Sequence, residues 1–479
     1  MKNKIGLLIK IIIMVIIAGL STYLGVVIGE LDVLPNKYLM LFIGVLVLLN
    51  IIGGLCLIIR KWYTKIISGF MYLILIIISV LGISYGSDTI KFLNKAFNNN
   101  TIEVTDYNIL VLKTSLYKEI NDIKDKNLGY LTSDPNTDKV LKSVKEKVNT
   151  NNIEYEDLFE LYKDLKEETI PAIVLDASYL EVLSDEEETI YDDIKSLYSF
   201  KIEEKIEQVE EVETLKPMNI YISGSDSRSN KIASKSRSDV NLILSINPDT
   251  KKVLITAIPR DYYVDVYGKT GLKDKLTHAG IYGIETSVKT LENLFNIEID
   301  YSIKVGMSAV VEVVDLVGGV DIYSDTAFNS YHMPGWRVEK GINHMDGAKA
   351  LAYARERYAY ISGDRHRIKN QQQVLEAVLN KIVSSKTLLL KYEELLNSLS
   401  ELYRTDIPKE VVTMLVKMQL ENMSSWSFES QSVDGKGAYL ATYTAPNSKR
   451  YVMVPYENDV KNATIKINEV LNIVNETEE

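Results

Sequence analysis

The stretch MNIYISGSDSR, residues 218–228, decides the fold of the C-terminal half of this chain. It begins as a short apolar strand and runs directly into a polar segment that carries Asp226 and Arg228. Two further runs rich in β-branched residues follow, Val240–Ile246 and Val253–Ile258. Near-continuous apolar runs of this length are typical of strands that are buried on both faces. The stretch therefore predicts a sheet covered on both sides, with charged residues where its strands end.

Strands and helices alternate from this point to the C-terminus. Leu276–Phe295 and Ser308–Val317 have helical periodicity, Tyr301–Val305 predicts a strand between them, and Gln371–Val383 continues a further helix. The tail predicts three strands and a helix that dock onto the same sheet: Trp426–Val433, Ala438–Tyr443, Tyr451–Pro455 and Val460–Val474. The fold class predicted for residues 216–479 is an α/β/α sandwich.

Charged residues stand at the predicted strand ends. Arg237 and Asp239 lead into the second strand, and Arg260 and Asp261 follow the third. Functional residues of α/β proteins gather at such strand ends. We therefore expect these side chains to lie close to those that follow the first strand.

A second set of charged residues comes later in the chain. Arg355 and Arg357 are two positions apart and would point the same way on a strand. On a helix that starts near Asp364, spacings of three and four place Asp364, Arg367 and Gln371 along one face. Both sets are predicted to converge on one edge of the sheet.

This pattern favours the binding of a polyanion together with a divalent cation. Arginine offers planar, bidentate donors to phosphate oxygens, and a pair of aspartates holds a hard metal ion that bridges them. A single arginine is more often part of a surface ion pair, but a whole set at successive strand ends indicates a site. The sequence shows no Ser-His-Asp or Cys-His arrangement, which suits phosphoryl transfer because that reaction needs little covalent chemistry from the protein.

Six motifs resemble those of the LytR–CpsA–Psr family. They are Gly-Ser-Asp-Ser-Arg at 224–228, Arg-Ser-Asp at 237–239, Ile-Pro-Arg-Asp at 258–261, Lys-Leu-Thr-His-Ala at 275–279, Ala-Leu-Ala-Tyr-Ala-Arg-Glu-Arg at 350–357 and Arg-Ile-Lys-Asn-Gln-Gln-Gln at 367–373. The sequence departs from the family pattern at two places. Arg365-His366 stand where Phe-Gly is usual, and Asn370 stands where an arginine often precedes the glutamines.

The resemblance implies an extracellular phosphotransferase of Gram-positive cell walls, similar to the CpsA-type branch with three membrane spans and an accessory domain. Such an enzyme moves a glycopolymer, capsular polysaccharide or a polymer like teichoic acid, from an undecaprenyl-pyrophosphate carrier to peptidoglycan through a phosphodiester. The implied partners are the lipid-linked polymer, peptidoglycan, the bilayer and the capsule synthesis machinery, with no nucleic acid.

The resemblance also implies roles for single residues. Asp226 and Asp239 would hold Mg²⁺ or Mn²⁺. The substrate-binding set would be Arg228, Arg237, Arg260, Lys275, Arg355, Arg357, Arg367 and Gln371, and the catalytic set would be Arg260, Asp261, Arg355, Arg357 and Asp364. Asp364 would orient the arginines, and either Asp261 or Asp239 would accept the proton of the sugar hydroxyl.

Residues 1–86 predict a membrane anchor with three spans, Ile11–Ile28, Tyr38–Ile59 and Ile66–Tyr85. Basic residues cluster before the first span and between the second and third, so the positive-inside rule places the N-terminus in the cytoplasm. An odd number of spans then places residues 87–479 outside the cell. The single cysteine, Cys56, excludes an intramolecular disulfide and a cysteine-rich zinc site.

Residues 87–215 predict an α+β accessory domain. They contain 15 basic and 30 acidic residues, so the acidity of a chain with net charge −11 belongs almost entirely to this segment. Ile102–Leu112 and Thr169–Leu175 are predicted strands, and Thr137–Val148 and Glu154–Glu168 are predicted helices. We find no catalytic motif here and expect a solvated acidic face.

Three other functions are compatible with parts of the sequence. A polyprenyl-pyrophosphate hydrolase would use the same residues, with water in place of the sugar hydroxyl. A membrane-bound regulator of capsule synthesis that binds DNA would need a cytoplasmic basic element, for which the predicted topology leaves only about ten N-terminal residues and the 60–65 loop. A lipid-binding or length-sensing protein would use the arginines for binding alone.

Overall fold

The structure, a computed structural model, describes most of the chain. The described residues are 2–473, apart from 32–33, 60, 99–101, 186, 188, 206–213, 226–231, 391, 393–395, 397–398 and 400–401. Two predicted site residues, Asp226 and Arg228, lie outside the described residues.

Three long apolar helices form the N-terminal part: α1 (Lys2–Leu31), α2 (Asn36–Ile58) and α3 (Trp62–Asn98). Each contains a stretch that is long and apolar enough to cross a membrane, which confirms the three predicted apolar helices. Leu24, Leu75 and other apolar residues are buried where the three helices pack together, while most of the remaining apolar side chains face outward. An outward apolar surface of this kind is the one expected of a bundle surrounded by lipid.

The N-terminal end of α2 lies against the C-terminal part of the chain. Lys37 Nζ donates a hydrogen bond to the carbonyl oxygen of Glu421 at 3.4 Å, and Lys386 Nζ lies 5.6 Å from the centre of the Tyr38 ring. The predicted topology, in which the loop between the first two spans lies on the same side of the membrane as residues 87–479, stays a prediction.

The accessory domain is a five-stranded sheet with short helices. In chain order its elements are β1 (Ile102–Leu112), a 3₁₀ turn (Ile120–Ile123), β2 (Asn127–Leu131), α4 (Thr137–Lys145), β3 (Asn151–Tyr155), α5 (Leu158–Lys166), β4 (Ala172–Asp176), α6 (Ala177–Leu183), α7 (Ile190–Asp193) and β5 (Ile194–Lys205). The strand order is β3-β2-β4-β1-β5. The first strand has the predicted bounds, and the predicted helix at Glu154–Glu168 is shorter because its beginning belongs to β3.

The C-terminal part is built on a six-stranded mixed sheet. Its elements are β6 (Met218–Ser225), β7 (Val240–Asn247), β8 (Lys252–Ile258), β9 (Tyr263–Val264), β10 (Asp274–Lys275), α8 (Leu276–Ala279), a 3₁₀ turn (Gly280–Tyr282), α9 (Ile284–Phe295), β11 (Tyr301–Gly306), α10 (Met307–Leu316), β12 (Val320–Ser324), β13 (Phe328–Asn329), β14 (Arg337–Val338), β15 (Gly341–Met345), α11 (Gly347–Arg355), α12 (Asp364–Ser384), α13 (Lys386–Leu390), β16 (Tyr403–Thr405), α14 (Lys409–Asn422), β17 (Ser427–Ser432), β18 (Gly435–Thr442), β19 (Ala445–Pro455) and α15 (Glu457–Leu471). The strand order is β16-β11-β6-β7-β8-β17.

Helices cover both faces of this sheet. On one face Ile243 packs in a cluster with Leu291 of α9 and Ala463 of α15. On the other face Leu244 packs in a cluster with Ile368 of α12 and Val411 of α14. The α/β/α sandwich is therefore confirmed. Of the segments after α14, β17 pairs with β8 and α15 packs on the sheet as predicted, whereas β18 and β19 form a separate two-stranded sheet.

One predicted helix is interrupted. The segment Leu276–Phe295 contains two helices separated by a 3₁₀ turn, because Gly283 has φ 109°, which a helix does not allow. Leu276 and Leu291 are buried in the core beside the sheet.

Candidate functional site

The ends of three strands and the start of a fourth meet at one edge of the large sheet. Gly224 at the end of β6 pairs with Val240 at the start of β7, and Asn241 pairs with Ile258 at the end of β8. The parallel strand β11 ends beside β6 at Gly306. Because β7 is antiparallel to its two neighbours, the segment before it and the segments after β6 and β8 lie side by side. The fold therefore brings the strand-end motifs together, as the sequence predicts.

A cavity of about 210 Å³ opens at this edge. We call it the arginine cavity, and its lining residues are Asp185, Arg237, Asp239, Arg260, Met307, His332, Arg355, Arg357, Arg367 and Gln371. Seven of the predicted site residues are among them. Asp261 and Asp364 contact lining residues but are not part of the lining, and Lys275 contacts Asp261.

Asp239 is the central carboxylate of the cavity, with a side chain that is 7% exposed. One oxygen accepts a hydrogen bond from Arg260 Nη1 at 2.8 Å, and the other lies 3.8 Å from Arg237 Nη2. Burial would raise the pKa of Asp239, but the charges of Arg237 and Arg260 outweigh it and lower that pKa below its usual value. Asp239 is therefore ionised and holds two arginines in place.

Asp261 and Lys275 form a second layer behind Arg260. Lys275 Nζ lies 3.3 Å from Asp261 Oδ1, and Arg260 Nε lies 3.9 Å from Asp261 Oδ2. Asp239 and Asp261 together raise the pKa of Arg260 against the effect of burial. The role of this layer is thus to fix the charge and direction of Arg260.

The second set of charged residues comes from α12 and from the C-terminal end of α11. Arg367 Nη2 lies 2.6 Å from Asp364 Oδ1 one turn earlier on α12, so Asp364 orients this arginine, and Gln371 follows on the same face. Arg355 is the last residue of α11, and Arg357 follows two residues later. The prediction that Arg355 and Arg357 share a strand was therefore wrong, although both reach the cavity. Because α11 ends at the cavity, Arg355 at its last position and Arg357 just after it both reach the cavity.

Several hydrogen-bond donors in the cavity are available to bind an anion. The Nε–H groups of Arg237, Arg260 and Arg367 are buried and have no hydrogen-bond partner among the described residues. An unpaired buried donor costs about 1–3 kcal/mol. Phosphate oxygens are acceptors that match such guanidinium donors. The arrangement is therefore suited to a group with several phosphate oxygens.

The described residues do not by themselves form a divalent cation site. Within them, no group of three or more histidine, cysteine, aspartate or glutamate residues is arranged to hold a metal ion. Both oxygens of Asp239 already face arginines, and Asp226, its predicted partner, lies outside the described residues. The metal assignment therefore stays a prediction.

Three lining residues were not predicted from the sequence. Met307 directly follows the end of β11, and it could have been found from its place at a strand end. His332 lies in a loop with no motif around it. Asp185 comes from the accessory domain, and no local signal in the sequence connects it to this site.

Asp185 ties the accessory domain to the cavity. Its carboxylate forms an ion pair with Arg237 Nη1, and Glu181 of α6 accepts a hydrogen bond from the backbone N–H of Arg237 at 3.1 Å. The segment that carries Arg237 is therefore held from two sides, by the accessory domain and by the sandwich.

Arg365 and Asn370, two of the residues that depart from the family pattern, have local roles. Arg365 Nε donates hydrogen bonds to both carboxylate oxygens of Asp434 at 2.9 Å, outside the cavity. Asn370 Nδ2 donates to the carbonyl oxygen of Tyr353 at 2.9 Å and so joins α12 to α11. Neither residue adds a charge to the cavity.

Fold and site together define an α/β/α protein with an arginine-lined cavity, attached to a bundle of three apolar helices. Comparison with known proteins gives the family. The sequence pattern of the LytR_cpsA_psr family matches residues 186–459, which are more than half of the chain. The chain therefore belongs to this family.

Two curated relatives are named polyisoprenyl-teichoic acid–peptidoglycan teichoic acid transferase TagU. The one from Bacillus anthracis (strain CDC 684 / NRRL 3495) is 34% identical over 202 residues, which are 42% of this chain and 64% of the relative. The one from Enterococcus faecalis (strain ATCC 700802 / V583) is 31% identical over 192 residues, 40% of this chain and 62% of the relative. The chain thus spans less than two thirds of their length.

Solved structures include similar chains. The crystal structure of B. subtilis TagV is 28% identical with a TM-score of 0.46, covering 55% of this chain and 99% of TagV. The structure of TagT bound to LIIa-WTA is 24% identical with a TM-score of 0.44, covering 54% of this chain and 91% of TagT.

Proposed function

We propose that this protein is a phosphotransferase that moves a glycopolymer from a polyprenyl-pyrophosphate carrier to a sugar hydroxyl of peptidoglycan. The observation that carries the proposal is the convergence of five arginines on one cavity, where three buried Nε–H groups have no hydrogen-bond partner within the described part of the chain. The names of the TagU relatives, which describe transfer of teichoic acid from a polyisoprenyl carrier to peptidoglycan, supply the substrate class.

In the proposed reaction, one bond between phosphorus and oxygen forms and another breaks. The acceptor hydroxyl oxygen forms a bond to the phosphorus that carries the polymer, and the bond from this phosphorus to the bridging oxygen breaks. The products are a phosphodiester and a polyprenyl phosphate. The hydroxyl proton passes to a carboxylate, and Asp239 is the predicted candidate that lines the cavity, whereas Asp261 lies behind Arg260.

The arginines would act by charge. In a loose transition state for phosphoryl transfer, negative charge builds up on the oxygens of the transferred group and of the leaving phosphate. Fixed guanidinium groups in a partly buried site stabilise this charge without having to reorganise. Asp239 and Asp364 contribute by holding Arg260 and Arg367 in place before the substrate arrives.

Mg²⁺ or Mn²⁺ is part of the proposal as a cofactor on Asp226 and Asp239. When bound, it would neutralise charge on the pyrophosphate. Transfer by the purified full-length protein should be lost with a chelator and should return on addition of either ion. Undiminished transfer in the presence of the chelator would exclude a required cation.

The proposed polymer is capsular polysaccharide or a polymer like teichoic acid, and the carrier is undecaprenyl pyrophosphate. The proposed place is the cell membrane, with the N-terminus in the cytoplasm and residues 87–479 outside. Reporter fusions after residue 60 and at the C-terminus test this topology, and a cytoplasmic C-terminus would contradict it.

Product analysis separates the proposal from hydrolysis. The full-length protein in detergent is incubated with a polyprenyl-pyrophosphate-linked saccharide and peptidoglycan. A saccharide linked to peptidoglycan through a phosphodiester supports transfer, whereas only free saccharide phosphate would indicate a hydrolase.

A further inference from the structure

Two exposed tyrosines stand at the rim of the arginine cavity. The rings of Tyr331 and Tyr358 have centroids 4.3 Å apart and are tilted by 48°. Tyr331 is 64% exposed and Tyr358 is 56% exposed, so both rings present a large aromatic surface to solvent. We call this pair the aromatic rim. Exposed aromatic surface next to a site commonly marks a place of recognition.

A buried carboxylate fixes the aromatic rim. Glu356 is 0% exposed and accepts hydrogen bonds from the backbone N–H groups of Tyr331 at 2.8 Å, Tyr358 at 3.0 Å and Ala359 at 3.2 Å. Burial of a carboxylate is costly unless such donors compensate for it. The fold thus joins two separate segments at one buried group, and both exposed rings are held in a defined position.

The aromatic rim is continuous with the arginine cavity. Arg357 lines the cavity, and its Nη2 donates a hydrogen bond to Tyr358 Oη at 2.6 Å, while its guanidinium carbon lies 4.8 Å from the centre of the Tyr358 ring. His332 also lines the cavity, and its ring centroid lies 5.4 Å from that of Tyr331. The Nε2 atom of His332 is buried and has no hydrogen-bond partner among the described residues.

We propose that the aromatic rim, with His332 beneath it, is a binding subsite for the sugar ring next to the phosphorus that is transferred. This inference rests on the proposed function. A sugar ring has an apolar C–H face, which packs on an aromatic ring, and hydroxyl groups at its edge, which can bond to His332 Nε2. A sugar bonded to a phosphate held by Arg357 lies within reach of the Tyr358 ring.

The chemistry of the aromatic rim favours a sugar over a polyprenyl chain. Both rings carry a hydroxyl group, and both are more than half exposed, so they form an open platform rather than an enclosed apolar groove. A long apolar chain gains most from a site that removes it from water on all sides. The sugar could belong to the donor polymer or to the acceptor glycan, and the experiment must distinguish these two sources.

The test uses the full-length protein in detergent with Tyr331→Ala, Tyr358→Ala and Tyr358→Phe. Tyr267→Ala is the control, because Tyr267 is also an exposed tyrosine and lies outside the cavity lining. Two measurements are made: binding of polyprenyl pyrophosphate with and without an attached saccharide, and the KM values for donor and acceptor in the transfer assay. Binding can be measured even if the proposed transfer reaction fails.

The alanine variants should weaken binding of the saccharide-bearing lipid about tenfold, or raise the acceptor KM about tenfold, depending on which sugar occupies the subsite. Binding of the lipid without saccharide should not change. Tyr358→Phe should stay near wild type, because it keeps the ring.

Three results would overturn the proposal. Equal weakening for the lipid with and without saccharide would mean that the aromatic rim contacts the carrier instead. A Tyr358→Phe variant as defective as Tyr358→Ala would mean that Tyr358 only holds Arg357. Wild-type values for both alanine variants would mean that the aromatic rim binds no sugar.

Discussion

Five arginine side chains share one cavity, and the two carboxylates in its lining pair with two of them, Arg237 and Arg260. Asp239 is held between Arg260 and Arg237, and Asp185 forms an ion pair with Arg237 on its other side. Removal of one partner from such a pair is costly because the other charge is left buried. The lining still has more arginines than carboxylates, and this excess of positive charge suits the pyrophosphate of the proposed donor.

Residue identities in the cavity could largely be predicted from the sequence. Arg237, Asp239 and Arg260 stand at strand ends, where position in the fold follows from the strand pattern. His332 and Asp185 could not be predicted, because they reach the cavity from a loop and from another sheet. The positions of these two residues depend on packing between segments that are far apart in the sequence, and a local sequence pattern does not predict such packing.

The ionisation of Asp176 should make the stability of the folded protein depend on pH. Burial raises the pKa of Asp176 to about 7, although the N–H of Ser178 at the start of α6 donates a hydrogen bond to it. A carboxyl with a raised pKa in the folded state contributes stability at low pH that is lost as the pH rises toward 7. Asp176→Asn removes this ionisation and keeps an acceptor for Ser178.

The thermal midpoint of Asp176→Asn should therefore exceed that of wild type by more at pH 8 than at pH 5, by a few degrees. Unfolding followed by circular dichroism at both pH values measures the difference. An equal change at both values, or a larger gain at pH 5, would show that Asp176 is not neutral in the folded protein.

At the scale of elements, the sequence predicts buried structure better than exposed structure. The strands β7 and β8 are almost entirely buried and were predicted within one residue at each end. The strand β3, Asn-Asn-Ile-Glu-Tyr, was missed because it is an edge strand with mostly exposed residues and no apolar alternation. The antiparallel pairing of β6, β7 and β8 also could not be read from apolar runs alone.

A glycine sets the position of the segment that carries Arg237 and Asp239. A Cβ atom on Gly280 would lie 2.5 Å from the carbonyl oxygen of Ser236 and 2.6 Å from Ser238 Oγ. Gly280→Ala must therefore push this segment away from the 3₁₀ turn. We expect at least a tenfold loss of transfer, from displacement of Arg237, together with a lower thermal midpoint.

Gly69→Ala is the matched control for this change, because no heavy atom lies within 4 Å of the added Cβ. Both variants are compared in the transfer assay and in thermal unfolding. Wild-type activity of Gly280→Ala would show that the segment tolerates the shift and that its fit is not needed for function.

At the scale of the whole molecule, the accessory domain and the sandwich form one packed unit around the cavity. Ser234 Oγ donates a hydrogen bond to the carbonyl oxygen of Val104 at 2.6 Å, and Lys269 Nζ donates to that of Ser133 at 3.1 Å. Tyr282 of the sandwich belongs to the hydrophobic cluster of the accessory domain. These contacts explain how a distant acidic segment can place Asp185 in the cavity.

Asp185 should affect how tightly the site binds its donor. The side chain is 31% exposed, and its negative charge opposes the entry of a pyrophosphate, while Glu181 independently holds the backbone of Arg237. Asp185→Asn should lower the donor KM a few-fold with little change in kcat. The control is Glu187→Gln, which removes an exposed carboxylate that pairs with Lys166. A raised KM for Asp185→Asn would instead show that Asp185 is needed to position Arg237.

The central claim is that the arginine cavity performs phosphoryl transfer, and Arg260 tests it most directly. Phosphodiester formation between a lipid-linked saccharide and peptidoglycan is measured for wild type, Arg260→Ala and the control Arg337→Ala, whose arginine is exposed and pairs with Glu339. We expect kcat/KM to fall at least 100-fold in Arg260→Ala, because a charge that stabilises the transition state is lost, and to stay unchanged in Arg337→Ala. Full transfer by Arg260→Ala, with the protein folded, would contradict the assignment of this cavity as the active site.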